Sequence, residues 1–167
     1  MSPRNDTVPS SDGRELLITR IFNAPRDLVF QAWIDPKHLA HWSGPRGFTT
    51  PHSTMDPRPG GVYRACLRSP EGIDHWIRGV YREITPPERL VMTHAWENDD
   101  GQPGPETVVT VTLAEQEGKT TMTFHQAFFE SAASRDGHLE GWSSSFDRLA
   151  EYLARVETGT VQKETQQ

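Results

Sequence analysis

The chain has 167 residues, 34% of them hydrophobic and 24% charged, which suits one globular domain large enough for a substantial core. A formal charge of -6 argues against a nucleic-acid partner, and no apolar run approaches the roughly 20 residues of a membrane span. The single cysteine, Cys66, has no internal disulfide partner, and the polar opening MSPRNDTVPSSDGR lacks the apolar centre of a signal peptide, so a cytoplasmic protein is expected.

Residues 1–14 offer nothing to bury and are expected to be a disordered tail, followed by one domain over 15–156 and a second polar tail over 157–167. Glu15 to Phe22 is rich in Ile, Leu and Thr and predicts a first strand. Asn23-Ala24-Pro25 ends it and opens a short helix, Arg26 to Ile34, with Val29, Phe30 and Trp33 available for the core. Asp35 caps a second short helix, Lys37 to Trp42, and Ser43 to Gly47 is a loop.

From Phe48 the period becomes two. Phe48 to Met55 is a strand that Pro51 marks as an edge or a bulge. Val62 to Arg68, Asp74 to Ile84, Leu90 to Glu97, Thr107 to Leu113 and Thr120 to Gln126 alternate in turn, separated by turn-forming segments. Arginines and threonines choose the solvent face. The opposite face then collects Tyr63, Ala65, Leu67, Ile77, Tyr81, Met92, Val109, Val111, Met122 and Phe124, with His94 and Trp96 also inward.

Phe128 to Gly137 is a link. Leu139 to Val156 then places Leu139, Trp142, Phe146, Leu149, Leu153 and Val156 at helical spacing, a long amphipathic helix. The order predicts an α+β helix-grip architecture: a curved antiparallel sheet of six or seven strands around a long C-terminal helix, with two short helices after the first strand. A strongly bent sheet and one helix need not fill the space between them, and the remainder is a small-molecule cavity.

These residues resemble the START-like, birch-pollen-allergen-like (SRPBCC) superfamily, and within it the activator of heat-shock-protein-90 ATPase homologue-like proteins. The resemblance is carried by Asn23-Ala24-Pro25, by Trp42 with Gly44-Pro45, by Asp56 to Gly61, Gly79 to Ile84 and Pro86 to Leu90, and by Gly141-Trp142 through Tyr152-Leu153. It spans Leu16 to Ala154. It implies the helix-grip fold and a hydrophobic cavity that holds a lipid, polyketide or other apolar molecule. One departure is Ser43, where many relatives carry a second aromatic at the cavity mouth.

The candidate ligand-binding set is Tyr63, Leu67, Ile77, Tyr81, Met92, His94, Trp96, Val109, Phe124, Trp142 and Phe146. An inward His94 could orient a ligand or move a proton, and Glu83 shares the parity of Tyr81. His38 and His41, three apart, have no third ligand fixed by spacing, so no metal or other cofactor is expected. Ser143-Ser144-Ser145 lacks a hydrolase context and places small side chains on the helix, with Ser145 leaving cavity space. The first expectation is non-catalytic binding of a small hydrophobic or aromatic molecule, by a monomer or homodimer. A co-chaperone or stress-response module acting on a chaperone ATPase is a second. A cyclase or hydratase using His94 or Glu83 is a third.

Overall fold

The computed structural model describes residues 6–9 and 13–157, so the expected tails lie outside it apart from residues 6–9, 13, 14 and 157. One eight-stranded antiparallel sheet runs in the order β1-β2-β8-β7-β6-β5-β4-β3. Its strands are β1 (Asp6–Pro9), β2 (Glu15–Phe22), β3 (Thr49–Met55), β4 (Val62–Arg68), β5 (Asp74–Thr85), β6 (Arg89–Trp96), β7 (Thr107–Gln116) and β8 (Lys119–Ala127). The helices are α1 (Arg26–Ile34), α2 (Pro36–Leu39) and α3 (Ala132–Glu157). The helix-grip fold expected from the alternation is therefore present. One addition is β1, which pairs with β2 inside the segment expected to be a disordered tail.

Strands β3 to β8 form a meander, and β2 returns to pair with β8. Chain passing from β2 to β3 must cross the whole sheet, and α1 and α2 make that crossing. Val29, Phe30, Ala32 and Trp33 of α1 are buried, and the Trp42 indole N–H donates to the Ala32 carbonyl at 3.1 Å. Pro51 falls where the β3–β4 register shifts, between Thr49 and His52, on the edge strand.

A second irregularity matters more. The β5–β6 register shifts between Tyr81 and Glu83, so Tyr81 pairs with Met92 but Glu83 with Val91. One extra residue flips every side chain beyond it to the other face. Glu83 therefore points outward, where it accepts hydrogen bonds from Thr85 and Arg89, while Ile84 takes the inward position. Outward placement removes Glu83 as a cavity acid or base.

Helix α3 begins seven residues before the apolar periodicity, at Ala132. Ser131 caps it: its hydroxyl accepts the Ser134 N–H and its carbonyl the Arg135 N–H, both at 3.1 Å. Arg20 of β2 ties the middle of α3 to the sheet through Asp147 at 2.7 Å and the Ser143 carbonyl at 3.2 Å. From Ser145 onward the inward side chains Phe146, Leu149, Tyr152, Leu153 and Val156 are all at most 2% exposed. That end of the grip is solid.

Candidate functional site

At its other end the grip stands open. A chamber of about 480 Å³ lies between the far strands, the loop after α2 and the first half of α3. Beneath it lies an aromatic block of which Trp33, Trp42 and Trp142 reach the chamber: Trp33 meets Trp42 edge-on at 4.9 Å between ring centroids, and the deeper Phe124 meets Trp142 at 4.6 Å. Phe146 closes the block from below, 5.2 Å from Phe124. Such pairs add to area burial and hold the rings in fixed orientations.

The sheet supplies the curved wall. Tyr63, Leu67, Ile77, Tyr81, Met92, His94 and Trp96 all face the chamber, as their parity predicts, and Trp142 faces it from α3. Val109, Phe124 and Phe146 do not line it. Each is fully buried, in the core beneath the chamber rather than on its surface. The wall depends on Gly79, which lies opposite Tyr63. A Cβ there would stand 2.0 Å from the Thr93 carbonyl oxygen and 2.5 Å from the Tyr63 ring. Only glycine lets the Tyr63 hydroxyl reach across and donate to the Thr93 carbonyl at 2.6 Å. The Thr93 hydroxyl in turn accepts the Val80 N–H at 2.8 Å. Burial pushes the Tyr63 and Tyr81 phenols well above their ordinary range, so both stay neutral.

A buried chain of hydrogen bonds sets Trp142. Its indole N–H donates to Gln126 Oε1 at 2.8 Å, the Gln126 amide donates to Thr107 Oγ1 at 2.8 Å, and the Thr107 hydroxyl donates to the His94 carbonyl at 2.9 Å. Gln126 and Thr107 share the inward parity of Phe124 and Val109. That parity was the available signal, and their polar identity hides it at strand ends.

His138 sets Trp96 in the same way. Its Nδ1 lies 2.7 Å from the Ser134 carbonyl, which can only accept, so the proton sits on Nδ1 and Nε2 accepts the Trp96 indole N–H at 2.9 Å. Burial depresses the His138 pKa and keeps this neutral tautomer. His94, 4% exposed, lies 5.9 Å from His138 between ring centroids. Burial, aided by the neighbouring His138, pushes its pKa down to about 3, so it is a neutral ring at any ordinary pH. Its Nδ1 has no hydrogen-bond partner.

The remaining wall is the loop after α2, which α3 straps in place. Ser145 donates to the Trp42 carbonyl at 2.8 Å, and Ser144 accepts the Arg46 N–H at 2.9 Å. One guanidinium nitrogen of Arg148 reaches the carbonyls of Ser43, Gly44 and Pro45 at 2.7, 2.9 and 3.2 Å. Ser145 does line the chamber, and it is also a buried tie. Ser43 has its place in the mouth through the strap on its carbonyl.

Elsewhere the expected alternatives lead to the surface. His38 and His41 converge on Tyr152, His38 Nδ1 contacting its hydroxyl and the His41 ring stacking at 4.8 Å. Among the described residues no three His, Cys, Asp or Glu side chains gather as metal ligands do. The outer-face arginines are paired: Arg64 and Arg78 with Glu97, Arg68 with Asp74, Arg82 with Glu106. No helix among the described residues is long and apolar enough to cross a membrane.

A family model described as Activator of Hsp90 ATPase homolog 1-like protein matches residues 23–154. No curated protein has a significant match to the chain. Among solved structures, the AHSA1 protein from Silicibacter pomeroyi is 26% identical with a TM-score of 0.77, over 84% of this chain and 97% of its own. A protein from Chromobacterium violaceum is also 26% identical, with a TM-score of 0.75 over 84% and 96%. One from Arthrobacter aurescens, 22% identical, shares the fold with a TM-score of 0.80 over 90% and 91%.

Proposed function

The chain belongs to the Activator of Hsp90 ATPase homolog 1-like family, and from that premise we propose that it is a non-catalytic binder of a small hydrophobic or aromatic molecule held between sheet and α3. One observation carries the reading: a chamber of about 480 Å³ whose wall is aromatic and aliphatic, within the usual size of small-ligand sites. A ligand seated there gains roughly 25 cal/mol for each Å² of apolar surface taken from water. Trp96 and Trp142, both partly exposed, contribute to that surface in this reading, with Tyr63 and Tyr81 in the wall behind. Catalysis is disfavoured because Glu83 faces outward, and burial holds both His94 and the neighbouring His138 in the neutral form.

Four of the five tryptophans line the chamber, Trp76 being the exception, so intrinsic fluorescence reports directly on occupancy. Titration with a panel of apolar aromatic compounds is expected to give a saturable change in emission. A flat response across the panel defeats the proposal.

The family description supports one further reading, a co-chaperone module acting on a heat-shock-protein-90-type ATPase through its outer surface. Added to such an ATPase, the protein would then raise turnover, and unchanged turnover removes this option.

A further inference from the structure

The chamber is lined mainly by apolar groups within and meets polar ones at its mouth, and that gradient orients an occupant. Among the described residues lining it there is no Asp, Glu, Lys or Arg. Its inner hydrogen-bonding groups are largely closed to a ligand. Trp42, Tyr63, Trp142 and Ser145 already donate to Ala32, Thr93, Gln126 and Trp42. Trp33 Nε1, Ser53 Oγ and His94 Nδ1 are covered by neighbouring atoms. A hydroxyl carried inward therefore loses its water and meets few open partners, which costs affinity.

The mouth differs. Where β5 and α3 begin, the lining residues His75, Ala133 and Gly137 are exposed. His75 stands at this rim, its ring centroid 6.2 Å from that of Phe48 and 6.2 Å from that of Trp96. A second hollow, of about 400 Å³, is lined by the same His75 and Trp96 together with Arg64, Asp74, Glu97, Asn98 and Asp99. An oily hollow and a polar one thus share a rim. Among the described residues, the polar one is lined by three carboxylates and a single guanidinium, Arg64, which is forked onto Glu97 at 2.6 and 2.8 Å. Its side chains include both donors and acceptors for a hydroxyl group, but no uncommitted guanidinium or ammonium for an anion. We propose that the paired hollows bind an uncharged amphiphile, its apolar ring body in the chamber and a hydroxyl-bearing end passing His75 into the polar hollow.

The inference rests on the binding function proposed above, and a matched series separates the two. Naphthalene, 2-naphthol, 2,6-dihydroxynaphthalene, 2-(2-naphthyloxy)ethanol and 2-naphthyloxyacetate share one ring system and differ in where the polar group sits and in its charge. In calorimetric titration at pH 7.5, the naphthyloxyethanol is expected to bind at least as tightly as 2-naphthol, because its longer end stays outside the chamber. The dihydroxy compound must carry one hydroxyl inward and should bind about tenfold weaker than 2-naphthol. Naphthyloxyacetate, the anionic counterpart of the ethanol, should bind at least about threefold weaker than it. The role of His75 is read as a ratio, naphthyloxyethanol affinity over naphthalene affinity in the same protein, so that any effect on the chamber itself cancels. His75→Leu should lower that ratio about three- to tenfold, and His75→Asn, which still offers hydrogen-bonding groups, should restore part of it. A naphthyloxyethanol tenfold weaker than naphthol, a dihydroxy compound as tight as naphthol, or a naphthyloxyacetate as tight as the ethanol each overturns the inference and leaves the binding function standing. An unchanged ratio in a folded His75→Leu protein also overturns it. Silence from all five compounds overturns the binding function, and this inference with it. The wild-type ranking stands as a test even if neither variant folds.

Discussion

The two halves of α3 are made for different neighbours. From Phe146 to Val156 the inward face is Phe146, Leu149, Tyr152, Leu153 and Val156, all buried against α1 and the sheet. From Ala133 to Ser145 the chamber-facing residues are Ala133, Ser134, Gly137, His138, Gly141, Trp142 and Ser145, at the same helical spacing but mostly small. One rod thus carries a core-forming stripe and a space-leaving stripe end to end. The lesson is that the volume of the chamber is encoded by what α3 omits in its first half. Stability, in turn, is concentrated in its second.

Substitutions should separate the halves by size and by sign. Phe146→Ala, in the solid half, is expected to cost about 3–5 kcal/mol, since a fully buried ring is lost from a site with little room to collapse. Urea unfolding measures it, and a loss below about 1 kcal/mol would mean the halves do not differ as described. Across the chamber, Gly79→Ala should cost about 2–3 kcal/mol by driving a methyl group against Thr93 and Tyr63. A neutral Gly79→Ala would show that the wall yields freely.

Acid should strike the open half first. His94 has its folded pKa pushed down to about 3, and His138 is depressed in the same direction. The unfolded chain protonates both near pH 6.5 while the folded chain does not, so the sign is loss of stability as pH falls below about 6.5. His94 alone sets a limiting slope of about 1.4 kcal/mol per pH unit. Below about pH 4.5 the Glu97 carboxyl, held low by its hydrogen bond from Arg64, adds its own loss. Unfolding midpoints at pH 7, 6 and 5 should therefore decline, and His94→Phe should flatten the decline. An unchanged slope would show that His94 is not the neutral buried ring described.

The same contrast explains what could be read from the chain. Strand alternation marks the wall because each inward side chain has something to pack on, and Tyr63, Leu67 and Trp96 fall where parity puts them. Apolar periodicity marks α3 only from Leu139, because a helix face turned toward empty space carries no apolar stripe. Gly137 and Gly141 there weaken the helical signal further. A capping serine was the remaining clue, and Ser131 stands in a segment rich in serine and alanine. Glu83 is misplaced by parity because a bulge inserts one residue without changing composition. Phe124 and Phe146 have the right direction but lie one layer too deep, a distinction of distance that periodicity does not encode.

The smallest predicted effect on stability has the opposite sign. Gly137 sits inside α3, faces the chamber, and has no atom within 4 Å of the place a Cβ would occupy. Glycine in a helix interior costs about 1 kcal/mol relative to alanine, so Gly137→Ala should stabilise the protein by about 0.5–1 kcal/mol. A larger side chain turns that room against the ligand. Gly137→Leu should keep a wild-type or higher melting temperature, because leucine is also a good helix former, while the fluorescence response to aromatic compounds weakens or disappears. A solid core would give the reverse, strain and lower stability from the added bulk. If Gly137→Leu lowers the melting temperature by many degrees, the first half of α3 is packed like the second, and the contrast between them fails.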